Sequence, residues 1–307
     1  MALRDVYMDQ VRLLLRLLPI VAREDCFALK GGTAINLFER DLPRLSVDID
    51  LMYLPLHDRP AALAGIDAAM TRIAAATEDT IPGARITPHR QEGAILRLLV
   101  RVASTQVKIE VSPVLRGVVG ATRLMGVSAA VEEAFGFAET TLVSFEDLYA
   151  GKLMAALDRQ HPRDLFDVRD LLAREGLTDA LREVFIVYLL SHHRPMGEVL
   201  AARPKDIAQE FETGFAGMTR DPVLLSDLEA TRATMVEQLV AAMPDRHQSF
   251  LIEFEEGAPD WSALHIEGVS TLPAVLWRQR NLDTLPKERR SALVDALRAV
   301  LGRSGAS

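Results

Sequence analysis

Between Ser46 and Leu51 the chain alternates without a break, with Val47, Ile49 and Leu51 on one side and Ser46, Asp48 and Asp50 on the other. A period of two marks a strand with one apolar and one polar face, because successive side chains leave the pleat in opposite directions. Such a strand belongs in a sheet covered on one face only. Its two carboxylates sit two positions apart, with Cα atoms roughly 6.5 Å from each other at about 3.3 Å of rise per residue, and repel unless a cation or a proton intervenes. Alone, an acid-x-acid pair fits better as the solvated face of an edge strand. The surrounding sequence reverses that preference.

Upstream, the apolar run Phe27-Ala28-Leu29 ends in Gly31-Gly32, which predicts a buried strand feeding a tight turn, with Thr33 capping a short helix through Phe38. A diglycine lets backbone approach a ligand with no Cβ in the way, and a helix start directs amide groups and a positive dipole end outward, which suits phosphate. Downstream, Gln106 to Ser112 alternates again, with Val107, Ile109 and Val111 inward and Lys108, Glu110 and Ser112 outward. Glu110 is either a third acid beside Asp48 and Asp50 or the partner of Lys108 or a neighbouring Arg. Three carboxylates on neighbouring strands suit two-metal phosphoryl chemistry, in which oxygen ligands and substrate phosphates share the cations.

The remaining periodicity supplies the frame. Residues 6 to 22 carry Val6, Leu13, Leu14, Leu17, Leu18 and Val21 at helical spacing, and Leu63, Ile66, Met70 and Ile73 mark a crossover helix that Pro82-Gly83 ends. Ile95 to Ala103 and Gln106 to Ser112 read as paired strands joined at Ser104-Thr105. Beyond Ser144, which forms a capping box with Asp147, the pattern is helical and is punctuated by Pro195, Pro204, Pro222, Pro244, Pro259, Pro273 and Pro286. The expected class is α/β (α+β): a mixed sheet with flanking helices over residues 1–145, then a mostly helical domain over 146–307.

Composition narrows the function. Hydrophobic residues at 49% and charged residues at 25% describe a folded chain. No apolar run reaches the ~18 residues of a membrane span, and Met1-Ala2-Leu3-Arg4-Asp5 lacks the order of a secretory signal, so a cytoplasmic protein without a membrane partner is expected. Cys26 is the only cysteine, which excludes an internal disulfide and a cysteine-rich zinc site. The net charge of -8 argues against indiscriminate coating of nucleic acid and leaves room for a local basic patch.

A second charged cluster follows, Gly151-Lys152 through Asp158-Arg159 and then Arg163-Asp164-Leu165-Phe166-Asp167. Lys152, on a helix whose Leu148, Met154 and Leu157 face the core, is placed at the core margin, where a lysine binds triphosphate oxygens as a point charge. Asp164 and Asp167, three apart, share a helix face, while Arg163 and Asp167, four apart, suit an ordinary ion pair on a surface helix. Arg278, Arg280, Lys287, Arg289 and Arg290 form a late basic stretch, read as a solvated helix face in preference to an RNA contact.

Taken in order, Leu29-Lys30-Gly31-Gly32-Thr33-Ala34, Arg44-Leu45-Ser46-Val47-Asp48-Ile49-Asp50-Leu51, Lys108-Ile109-Glu110-Val111, and Lys152 with Arg163-Asp164-Leu165-Phe166-Asp167 resemble the AbiEii/MenT family of nucleotidyltransferase toxins over roughly residues 25 to 175. The resemblance implies a DNA-polymerase-β-like nucleotidyltransferase core, an NTP substrate, Mg²⁺ or Mn²⁺, a cognate antitoxin, and transfer of a nucleotide to the 3′ end of tRNA that blocks translation. By position, Ser46 and Asp48 match the family's catalytic Ser-x-Asp, Asp50 its second acid and Lys152 its helix lysine. The last family aspartate falls on Asp167 in preference to Asp164. Lys30, Gly31, Gly32, Thr33, Ser46 and Lys152 are expected around the nucleotide, and Asp48, Asp50 and Glu110 around the metal. The same metal site would equally serve transfer to a protein or small molecule, and a non-catalytic nucleotide-binding module is the rival from outside enzymology.

Overall fold

The computed structural model describes residues 2–302. They divide into two compact units: the first runs to Leu148 and includes Phe215–Val223, and the second comprises Tyr149–Gly214 and the chain from Leu224 onward. The return of Phe215–Val223 to the first unit has no counterpart in the sequence pattern.

The first unit opens with α1 (Ala2–Val21), β1 (Phe27–Lys30), the short α2 (Gly31–Ala34) continued as a π-helical turn over Ile35–Glu39, and β2 (Asp48–Tyr53). It continues with α3 (Arg59–Thr80), β3 (Ala84–Gln91), β4 (Ala94–Val102), β5 (Thr105–Arg116), β6 (Arg123–Gly126), α4 (Ala129–Phe135) and β7 (Glu139–Leu142). The strands form one mixed sheet in the order β3-β4-β5-β2-β1-β7-β6. β2 lies parallel to β5 and antiparallel to β1, and β5 pairs antiparallel with β4. The expected mixed sheet is present, and α3 is the crossover helix its spacing indicated.

Register explains the one-sided sheet. Ile49 is opposite Ile109, which is opposite Leu98, and all three are fully buried, with Val100 and Val107 beside them. α1 packs on β5 and α3 on β4, so these residues fill the layer under the two helices. Burial of each such side chain stabilises by about 1.5–3 kcal/mol, and a slip of one residue would carry Asp48 and Asp50 into that layer. Packing on one face therefore fixes the acids on the other.

The second unit is helical, as its periodicity indicates. α5 (Phe145–Asp158) passes into it, followed by α6 (Pro162–Arg174), α7 (Asp179–Leu190), α8 (Met196–Leu200), α9 (Ala208–Gly214), α10 (Leu225–Val236), α11 (Asp245–Glu256), α12 (Pro273–Asp283) and α13 (Lys287–Val300). Proline sets several starts: Pro195, Pro244 and Pro286 occupy the N-caps of α8, α11 and α13, and Pro273 opens α12, where its missing N–H costs nothing. No helix among the described residues is long and apolar enough to cross a membrane.

Candidate active site

Gly31 and Gly32 form the bend between β1 and α2, and each has a separate reason to lack a side chain. Gly31 adopts a left-handed backbone with φ +77°, and a Cβ there would lie 2.6 Å from Asp50 Oδ2. A Cβ on Gly32 would lie 2.7 Å from Arg44 Nη2 and 3.0 Å from the Ser46 hydroxyl. The diglycine bend thus packs directly on the segment that carries Ser46 and Asp50. Gly31→Ala is expected to cost about 1–2 kcal/mol from backbone handedness alone, before the collision with Asp50. Chemical denaturation would register the change, and an unaltered variant would exclude the close approach.

Thr33 does not cap α2. The N-cap position falls on Lys30, which makes no side-chain cap bond, and Thr33 is buried inside the helix. Its hydroxyl lies 2.5 Å from Asp48 O and 3.1 Å from Ser46 Oγ. The carbonyl can only accept, so the Thr33 proton goes to it and the Ser46 hydroxyl becomes the donor of the second contact. Thr33 thereby ties the glycine bend to the start of β2, and Ser46 precedes the strand as a buried residue.

Arg44 has no role that local periodicity or spacing indicates. The residue is 3% exposed and its guanidinium lies against Gly32, with Nη1 donating to Leu45 O at 2.9 Å. The loop that presents it is clamped by the returning segment: Leu45 N donates to Met218 O, Arg220 N donates to Pro43 O, and Arg44 bridges Thr219. Only the position of Arg44, two residues before Ser46, could have drawn attention to it.

On the open face of the sheet, Lys30, Asp50, Glu110 and Arg97 follow one another across β1, β2, β5 and β4, with Asp48 beside Lys108 in the adjacent row. Glu110 is held from two sides. Arg97 Nη2 lies 2.5 Å from Oε1, and Lys108 Nζ lies 2.7 Å from Oε2 and 3.8 Å from Asp48 Oδ2. Burial alone would raise the Glu110 pKa, but the bonds to Lys108 and Arg97 outweigh it and hold the carboxyl below its usual range. Burial would likewise lower Lys108, yet its bond to Glu110 and the charges of Asp48, Asp50 and Glu110 prevail and raise it.

Glu110 makes ion pairs with Arg97 and Lys108. Among the described residues no three Asp, Glu, His or Cys side chains group as a ready metal site. Asp48 and Asp50 nonetheless fit a divalent cation, since Mg²⁺ is commonly held by one or two carboxylates and completed by phosphate oxygens. The Lys108 ammonium beside Asp48 occupies the kind of position a cation takes.

In the second unit, Lys152 is not at a margin but is 6% exposed. Its ammonium lies 2.9 Å from Asp164 Oδ1 and 3.0 Å from Asp167 Oδ2, each aspartate being 1% exposed. Arg159 Nε adds a 2.6 Å contact to Asp164. Burial would raise the Asp164 pKa, but Lys152 and Arg159 together push it far below the ordinary carboxylate value. Arg163 donates to Gly214 O. The cluster is therefore a buried ionic centre and not a salt-bridged surface helix.

Gly151 gives α7 room, since a Cβ there would meet the Tyr188 ring at 3.2 Å. The late basic stretch is partly structural. Arg278 is buried and donates to His192 O and Arg194 O, and Arg290 donates to Glu255 O.

Comparison with known proteins agrees with this architecture. The family model described as nucleotidyl transferase AbiEii toxin, type IV TA system, matches residues 12–276. The structure is similar to that of MenT4, a nucleotidyltransferase toxin from Mycobacterium tuberculosis H37Rv, with a TM-score of 0.57 and 18% sequence identity over 97% of this chain and 92% of that one. No curated protein matches the sequence.

Proposed function

Since the chain belongs to the AbiEii family of nucleotidyltransferase toxins of type IV toxin–antitoxin systems, we propose that it transfers a nucleoside monophosphate from an NTP to the 3′ end of tRNA and so stops translation. The observation that carries this reading is the placement of Asp48 and Asp50 on one open strand face, with the side-chain-free bend at Gly31-Gly32 packed against Asp50 and Ser46.

Each residue has a role in the proposal. Asp48 and Asp50 hold a divalent cation, Mg²⁺ or Mn²⁺, which when bound supplies charge neutralisation on the triphosphate. The backbone N–H groups of Gly31, Gly32 and the first turn of the helix donate to phosphate oxygens at closest approach, as helix starts do. Arg44, fixed against Gly32, adds positive charge there. Ser46 is oriented by Thr33 as a hydrogen-bonding group, and Lys30 stands at the entry to the bend.

Glu110 keeps Lys108 and Arg97 in place and leaves metal binding to the two aspartates. Lys152 is proposed as a phosphate-neutralising cation and Asp167 as the group that accepts the proton of the attacking hydroxyl, with Asp164 keeping the lysine charged. The rate advantage would come from positioning and electrostatics, as in phosphoryl transfer generally. A cytoplasmic location and a cognate antitoxin complete the reading.

The acceptor is tested directly. Incubation with each α-³²P-labelled NTP and total cell extract, followed by digestion with RNase or with protease, is expected to leave label that only RNase releases, migrating with tRNA. Label that only protease removes would replace tRNA by a protein acceptor. Label in neither class would point to a small molecule, and no label at all would favour a non-catalytic nucleotide-binding module.

A further inference from the structure

β3 and β4 together carry Arg85, His89, Arg90, Arg97 and Arg101 and contain neither Asp nor Glu, in a chain with 43 acidic against 35 basic residues. The register distributes these residues. One row across the sheet runs Asp50, Glu110, Arg97, His89, and another runs Gln106, Arg101, Arg85. Between them lie Asp48, Lys108, Leu99 and Thr87. All are exposed or half-buried, whereas Leu98, Val100, Val107 and Ile109 on the opposite face are buried. Arg90 lies past a register shift and turns to Asp67 of α3, so it is not part of this face.

The basic strip therefore starts beside the candidate metal-binding acids and runs outward to the edge of the sheet. Arg97 is bound to Glu110, and Arg101 donates to Gln106 Oε1 at 3.0 Å. Arg85 and His89 have no hydrogen-bond or ion-pair partner among the described residues. Charge on β3 alone would be explained by protection of an edge strand. That protection does not account for Arg97 and Arg101, which lie one strand further in.

We propose that this open face of β3 and β4 is the docking surface for the phosphate backbone of the acceptor RNA, with its 3′ end leading along the Arg97 row toward Asp50. The proposal rests on the nucleotidyl-transfer reading above and adds where the acceptor binds. Arg85 and Arg101 contact phosphates, and His89 and Thr87 offer hydrogen bonds to phosphate or ribose hydroxyl. β3 and β4 hold no Phe, Tyr or Trp on which bases would stack, so recognition there is by charge and is indifferent to sequence.

The test is a fluorescence-anisotropy titration of a labelled RNA hairpin with a single-stranded 3′ tail against the full chain at several salt concentrations. The Arg85→Glu/Arg101→Glu variant is expected to bind at least about tenfold more weakly, with a log–log salt slope shallower by about 1.4, given roughly 0.7 per single-strand phosphate contact. A Lys287→Glu/Arg289→Glu control on exposed positions of α13 is expected to bind as wild type does. Melting curves check the fold, and Arg85→Gln/Arg101→Gln, with a smaller loss in the same direction, serves if charge reversal unfolds the chain. Unchanged affinity and slope in both Arg85/Arg101 variants would overturn the docking surface. Wild-type protein that labels a non-RNA acceptor and binds no RNA would overturn it too, while nucleotidyl transfer itself would stand.

Discussion

Asp48→Asn is expected to reduce transfer of label from an α-³²P nucleotide by a factor on the order of 10³ or more, comparable with removal of a principal electrostatic group from other active sites. The fold should persist, for a structural reason. The Asp48 side chain is 39% exposed and lies 3.8 Å from Lys108 Nζ, whereas the bond that ties β2 to the glycine bend goes from Thr33 to the Asp48 backbone oxygen. The substitution removes charge and leaves that bond. Asp50→Asn should behave similarly, because its carboxylate occupies the space against Gly31 that Asn also fills. Undiminished transfer in both variants would remove the reaction centre from this face of the sheet.

Asp164→Ala is expected to destabilise the chain by about 3–5 kcal/mol, because it leaves the buried Lys152 ammonium short of one of its two carboxylates. The measurement is the shift of the unfolding transition in denaturant. Replacement of the whole centre, Lys152→Met with Asp164→Leu and Asp167→Leu, should recover much of that loss, since an apolar cluster of similar volume has no desolvated charge to satisfy. An Asp164→Ala variant as stable as wild type would show that the cluster is not a structural anchor.

The pH dependence has a definite sign. The folded-state pKa of Asp164 lies below its ordinary value of 3.8, so its stabilising contribution is complete above about pH 4 and is lost as pH falls from there toward the folded value. Wild-type stability should drop on this acid limb, and Asp164→Ala should show a shallower drop.

Features governed by local periodicity were legible before any tertiary contact was known. The alternation at Val47, Ile49 and Leu51 fixed Asp48 and Asp50 on one face because an apolar set must be buried together, and the helical spacing at Leu63, Ile66 and Met70 marked α3 in the same way. The Ser144–Asp147 cap was legible too, since its bonds span three residues. β3 escaped notice because an edge strand exposed along most of its length leaves no apolar pattern to read.

Which distant groups meet came from the packing of the folded chain. It set Arg44 against Gly32, with Met218 and Arg220 clamping its loop, and moved Thr33 from a cap to a tie across to Asp48. It gave Glu110 to Lys108 and Arg97 and enclosed Lys152 between Asp164 and Asp167. A charged residue's partner depends on strand order and helix packing, and neither is written in the spacing of its own segment.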